Sequence, residues 1–292
     1  MTDLAGPRLA CHIQTWGAVR LRAAGVGSIG ALHFESRAPL ERALTDIGLV
    51  GFDGVEVFDG DLLALEASGL DLDTFGLRLS GVYVGGYLVF DDVWPEERDR
   101  IAATCELAAT HGARDVVLGV GGIRSSGVDQ DDLTRIAERL DLLSADASAR
   151  GLRAHYHPHP SPGGHTPDHI ESVLGQTSVD VCPDTAVLLA GAVDPVEFCR
   201  RHADRITYAH LKDHRNGVDV EVGRGSIDMR AIVRDLSAGG RLDWLVTELD
   251  ASHTAAVVSA RSMATFVRSA VQSSRSSGDA AGGSTGREES SA

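Results

Sequence analysis

Residues 206–213 read Ile206-Thr207-Tyr208-Ala209-His210-Leu211-Lys212-Asp213, a mostly apolar run of strand length that ends on ionisable side chains. Such a strand is buried on both faces, as in a parallel sheet covered by helices, and delivers its polar groups at one end. The pattern recurs outward along the chain. Short runs at 8–14, 54–58, 77–84, 115–120, 152–157, 179–182 and 244–248 complete a set of eight strand candidates. Between them, apolar residues recur at helical spacing over 39–47, 61–67, 95–111, 131–148, 166–174, 194–202, 227–238 and 254–271. Asp194-Pro195 supplies a helix start and Gly112 a helix stop. Eight strands alternating with eight helices predict an α/β fold, a (β/α)8 TIM barrel forming a single domain over 8–271. Residues 273–292 are Ser, Gly and Ala with scattered charges, a composition expected to form a disordered tail.

The chain has 292 residues, with 27 Lys+Arg against 42 Asp+Glu and a formal net charge of −15. An acidic balance of that size argues against a nucleic-acid partner, because duplex affinity rests on neutralising phosphates with a basic face. Hydrophobic residues make up 43% but aromatics only 5%, so the core is expected to be Ala, Val, Leu and Ile. Cys11, Cys105, Cys182 and Cys199 form no Cys-x-x-Cys pair and read as reduced thiols. No run approaches the ~20 apolar residues of a membrane span, and the first residues lack a basic-then-apolar leader. A cytoplasmic protein is expected.

In a barrel of this kind the chemistry lies where strands end and the following loops begin. At the ends of the last four strands stand His157, Asp184, His210 and Glu248, separated by 27, 26 and 38 positions. One nitrogen or oxygen donor from each of four neighbouring strands converges near the barrel axis. Two imidazoles and two carboxylates suit a borderline divalent ion such as Mn, Co, Zn or Fe. His155 and His159 share the face of His157 by strand alternation, so either is an alternative ligand or a substrate contact. Lys212 lies on the same strand face as His210, placed to protonate a leaving group or to pair with Asp184 or Glu248. Other substrate-binding candidates are His12 and Trp16 near the end of the first strand, Glu56 near the end of the second, and Arg224 in the loop after the seventh. Gly223-x-Gly225 lacks the third glycine and the strand-to-helix setting of a dinucleotide fingerprint.

The runs His155–His159, Pro183-Asp184-Thr185, Asp194-Pro195, Asp204-Arg205-Ile206 and His210-Leu211-Lys212-Asp213 resemble the xylose-isomerase-like barrel superfamily of sugar isomerases and epimerases. Gly223–Asp228 and Trp244–Asp250 resemble its final third, and the branch containing inosose dehydratases is the most similar. The resemblance implies one divalent ion, manganese foremost and magnesium included, held by His157, Asp184, His210 and Glu248. Glu248 would be the base and Lys212 its polar assistant. It implies a sugar or cyclitol substrate, and homo-oligomers are common in the superfamily. Many of its epimerases carry a second glutamate where His157 stands, and usually read Asp-Thr-Gly-His where this chain has Asp184-Thr185-Ala186-Val187. The expected activity is a metal-dependent isomerase of epimerase type that abstracts a proton beside a polarised carbonyl. The alternative is a lyase of inosose-dehydratase type, which loses water or an aglycone. A non-catalytic degenerate barrel is a further alternative.

Overall fold

The expected strands form, and they pair in parallel. The computed structural model describes residues 6–23, 32–120, 122–160, 165–250, 252 and 254–282. The barrel strands are β1 (Arg8–His12), β2 (Gly54–Phe58), β3 (Arg78–Gly86), β4 (Asp115–Val120), β5 (Arg153–Pro158), β6 (Asp180–Val181), β7 (Tyr208–Leu211) and β8 (Trp244–Thr247). They hydrogen-bond in the order β6-β5-β4-β3-β2-β1-β8-β7. The remaining seam, between β7 and β6, is spanned by a single parallel bridge from His210 to Asp184. There the His210 amide donates to the Pro183 carbonyl at 2.9 Å. Two of the expected metal ligands therefore stand at the closure of the barrel.

The helices are α1 (Leu40–Val50), α2 (Asp59–Ser68), α3 (Trp94–Thr110), α4 (Gln130–Ser148), α5 (Pro167–Leu174), α6 (Thr185–Ala190), α7 (Pro195–Arg201), α8 (Met229–Ala238) and α9 (Ala256–Gly282). Their starts obey local chemistry. The side chains of Asp129, Asp194 and Asp228 accept from the first-turn amides of α4, α7 and α8, each such cap contributing about 1 kcal/mol. Gly112, at φ +79, ends the α3 segment in the left-handed conformation that glycine adopts without strain. Apolar packing then divides in two. A large shell of Val, Ile, Leu and Ala lies between sheet and helices, while Ala10, Phe58, Tyr83, Val117, Cys182, Tyr208, Trp244 and Val246 fill the barrel interior.

Three features depart from the expectations. The short helix α6 follows β6 directly, because Asp184 caps it through the Ala186 and Val187 amides at 2.9 and 3.0 Å. Two small antiparallel hairpins, Val19–Ala23 with Leu32–Ser36 and Asp213–Arg215 with Val218–Val220, stand outside the barrel sheet. Helix α9 runs on past Val271 through Gly282, over the first part of the segment expected to be a disordered tail. Residues 283–292 of that segment lie outside the described residues. No helix among the described residues is long and apolar enough to cross a membrane.

Candidate active site

The C-terminal ends of the strands surround a chamber of about 330 Å³, lined among others by His12, His157, His159, Asp184, His210, Lys212 and Glu248. Asp184, His210 and Glu248, all buried, each offer a donor atom within 4.8 Å of the other two. His157 joins a second such group with Cys182 and His210, and its ring centroid lies 5.0 Å from that of His210. The convergence expected from strand spacing is present, with His210 as the shared member.

The tautomers are set from outside the chamber. His157 Nδ1 donates to the Cys182 carbonyl at 3.1 Å, so its Nε2 carries the lone pair. His210 Nε2 donates to the fully buried Glu56 carboxylate at 2.9 and 3.0 Å. Glu56 also accepts from the Tyr208 hydroxyl at 2.6 Å. His210 Nδ1 faces Glu248 Oε2 at 3.2 Å; burial opposes a charge on the ring, but the carboxylates of Glu56 and Glu248 help raise the His210 pKa well above the ordinary imidazole value. A buried ring nitrogen set between carboxylates, with its other nitrogen held by a third, suits a histidine that ligates a metal once the cation displaces the Nδ1 proton. Burial pushes the Cys182 thiol up to about 11. Two carboxylates and imidazole nitrogens fit a divalent cation of borderline character.

Opposed charges tune the same groups. Burial disfavours ionised Glu248, but Lys212 and His210 outweigh it and hold the carboxyl well below the usual range. Lys212 Nζ donates to Glu248 Oε1 at 3.0 Å and to Asp250 Oδ1 at 2.6 Å, and Gln14 Nε2 donates to the same two carboxylates. Burial opposes the charge on Lys212 as well, yet Glu248, Asp184 and Asp250 raise its pKa above the ordinary value. Asp184 goes the other way: burial and the nearby Glu248 charge lift it to about 7. Burial also leaves His157 and His159 neutral, the first well below the usual imidazole value and the second at about 4. The site thus gathers its carboxylates around the Lys212 ammonium and the His210 ring.

The remaining candidates divide. His12 lines the chamber, with Nδ1 accepting from the Gln14 amide at 3.2 Å. His159 shares a hydrogen bond with the Tyr83 hydroxyl at 3.1 Å. Glu56 lies beneath the chamber and touches His210 rather than its open space. His155 is lower in the barrel, bonded to Asp115 at 2.8 Å. Trp16 turns outward, its indole donating to Asp46 of α1 at 3.2 Å, so it lines no part of the chamber. Arg224 is exposed in its loop and likewise outside it. Gln14, Phe34, Phe58, Tyr83 and Asp250 line the chamber without having been singled out. The strand-end rule, applied to β1–β3 and extended two residues past Glu248, would have found all but Phe34. Phe34 arrives on the Leu32–Ser36 hairpin strand, whose Leu-His-Phe-Glu alternation was its only signal.

Residues 47–269 match the sequence model of the xylose isomerase-like TIM barrel family. The chain is 24% identical over 247 residues to the inosose dehydratase of Clostridium beijerinckii, covering 72% of this chain and 82% of that one. It is 25% identical over 246 residues to a rhizopine catabolism protein of Rhizobium meliloti, covering 73% and 75%. Among solved structures, an L-ribulose 3-epimerase superposes with a TM-score of 0.72 at 20% identity, covering 97% of this chain and 100% of the other. The 3-keto-D-glucoside 4-epimerase of E. coli superposes with a TM-score of 0.68 at 16% identity, covering 90% and 99%.

Proposed function

The chain belongs to the xylose isomerase-like TIM barrel family, and from that premise we propose that it is a lyase acting on a keto-cyclitol or keto-sugar. It removes the proton beside the carbonyl and expels the oxygen substituent on the next carbon. The observation that carries this reading is the pairing of one ionised glutamate with neutral imidazole. Glu248 is kept charged by Lys212 and Gln14, whereas position 157 holds a histidine that burial keeps neutral. Asp184 does not replace the missing glutamate, because one of its oxygens is tied to the α6 amides. Inversion through opposite faces calls for two proton-transfer groups; elimination on one face runs with one.

The steps use this chain's own residues. Glu248 accepts the C–H proton, and an enolate forms beside it. Lys212 offsets the negative charge that accumulates at the Glu248 end of the chamber. The protonated Glu248 then gives its proton to the departing oxygen as the C–O bond breaks, so base and acid are one residue and the carboxylate is regenerated. Well-placed acid–base work of this kind contributes about 10²–10⁴-fold. Asp184, His210 and Glu248, with His157 adjacent, would hold a divalent cation, which when bound polarises the substrate carbonyl. Neutral His157 and His159 and the ring of Phe58 give the chamber a largely uncharged wall against which a sugar or cyclitol ring lies.

The relatives named inosose dehydratases support elimination; the two epimerase structures, at 20% and 16% identity, support the barrel alone. A proton shuttled between adjacent carbons by Glu248 would give an isomerase from the same residues, and the product mass separates the two. Protein loaded with Mn²⁺ is to be incubated with a panel of inososes, ketoses and 3-keto-glycosides and analysed by mass spectrometry. A product lighter by water or an alcohol is expected. A product isobaric with the substrate would replace the lyase by the isomerase, and an inert panel would remove the enzymatic reading.

A further inference from the structure

A second cavity, of about 350 Å³, adjoins the catalytic chamber and shares Phe34, Tyr83 and His159 with it as a common wall. Each cavity alone lies near the lower end of the ~300–1,000 Å³ range of ligand sites, and the two together fall well within it. Tyr87, Phe34 and Tyr83 line the second cavity together with Gly85, Gly86, Gly119 and Gly122, and the rings pack directly on glycine backbone. The glycines are required for this shape. A Cβ on Gly119 would lie 1.8 Å from the Tyr83 hydroxyl, and one on Gly85 would lie 2.1 Å from the Phe34 ring. At Gly122, φ is +85 and a Cβ would press on the Tyr87 ring at 3.0 Å. Tyr87 itself is anchored, its amide donating to Glu97 of α3 at 2.6 Å.

His165 supplies the polar feature of this cavity. The residue is only 6% exposed and lines the space, with its ring within reach of the Gly122 backbone. It is positioned by a bridge to Pro160, just beyond the end of β5. An imidazole has two ring nitrogens, and one bond to the Gly122 backbone leaves the other to meet a polar group in the cavity. The Tyr83–His159 hydrogen bond stands on the shared wall, where a group linking the two cavities would pass.

Resting on the lyase reading for the identity of the first ring, we propose that the substrate carries a second ring joined through an ether oxygen. This second ring occupies the Tyr87–His165 cavity while the keto ring occupies the Glu248 chamber. The substrate class is therefore a keto-glycoside or ring-substituted keto-cyclitol rather than a lone monocyclic ketone. Tyr87 and Phe34 offer aromatic faces for stacking, His165 hydrogen-bonds a polar substituent, and Tyr83 and His159 border the linking oxygen.

The test compares phenyl and methyl β-D-glucopyranoside by calorimetric titration of the wild-type protein. Neither carries a carbonyl, so proton abstraction consumes neither, and binding is read separately from the reaction. The phenyl glucoside is expected to bind about tenfold more tightly, the scale of one well-packed aromatic contact. Tyr87→Ala is expected to erase that preference and Tyr87→Phe to retain it, which controls for folding. His165→Ala is expected to reduce it where the second ring carries a hydroxyl, as in the 4-hydroxyphenyl glucoside. Equal affinities, no binding of either glucoside, or a preference that survives Tyr87→Ala would overturn the proposal. An inert keto-panel together with a Tyr87-dependent preference would instead remove the lyase reading and keep the two-ring site.

Discussion

Replacing Glu56 by Gln tests whether the polar layer beneath the chamber governs its chemistry. The Glu56 carboxylate is fully buried and accepts from Tyr208 at 2.6 Å and from His210 Nε2 at 2.9 and 3.0 Å. As an acceptor-only group it requires the proton on Nε2, so the nitrogen open to a cation is Nδ1, which faces Glu248. Glutamine has the same shape but presents one acceptor and one donor. If the hydroxyl of Tyr208 keeps the acceptor, the amide N–H meets His210 Nε2 and drives the imidazole proton to Nδ1. The lone pair that would bind a cation is then occupied. Loss of a partner that orients a ligating histidine changes metal affinity by about 10–100-fold, or about 1.4–2.8 kcal/mol. The assay is calorimetric titration of metal-free wild-type and Glu56→Gln protein with Mn²⁺, with nitrogen NMR of the histidine rings reporting the tautomer. Circular dichroism checks that the barrel is intact. The expected result is a Kd raised 10–100-fold together with loss of the proton on Nε2. An unchanged Kd with Nε2 protonated in both proteins would refute the reasoning.

Glu248→Gln is expected to leave the fold intact and lower kcat by at least about 10²-fold, since the amide neither accepts nor returns a proton. Comparable turnover in metal-matched samples would remove Glu248 from the reaction. His210→Ala and Asp184→Ala are each expected to lose bound divalent metal, measured by elemental analysis after equilibrium dialysis; unchanged stoichiometry in both would move the metal elsewhere. Asp61 is buried against Ser36, accepting from its amide and hydroxyl at 3.0–3.1 Å, and burial raises its carboxyl to about 6. The folded state therefore holds this proton after the unfolded chain has released it, so stability from this group is present at low pH and falls as pH rises towards the folded pKa. Asp61→Asn cannot ionise, and its stability relative to wild type is expected to rise by on the order of 3 kcal/mol between about pH 4 and pH 7. A pH-independent difference in urea unfolding would rule out that assignment.

The legibility of the chain varied with how local each determinant was. The strands and helices were readable because period and capping act over a few residues; Asp194, Asp228 and Gly112 act where the sequence placed them. Eight apolar strands ending in polar side chains were enough to place His157, Asp184, His210 and Glu248 around one space. A strand-end position does not reveal direction for Trp16, and the 3-10 turn Ile13–Trp16 swings its ring towards α1. Helix α9 runs on past Val271 because the buried face of Ala260, Met263, Ala264 and Val267 packs its body on its neighbours and lets it propagate onward.

By itself, then, the order of residues determined the barrel, since backbone periodicity and burial of alternating elements leave few other ways to cover eight apolar strands. It also determined which ionisable groups reach the open end, because side chains alternate strictly along a strand. Only the tertiary structure decided what those groups are chemically. The proton on His210 is directed by a glutamate 154 positions away, Glu248 is held ionised by Lys212 and Gln14, and the second cavity exists because Phe34 and Tyr83 lie against glycines of other strands. Protonation and cavity shape depend on neighbours brought together by folding, and no local pattern in the chain encodes them.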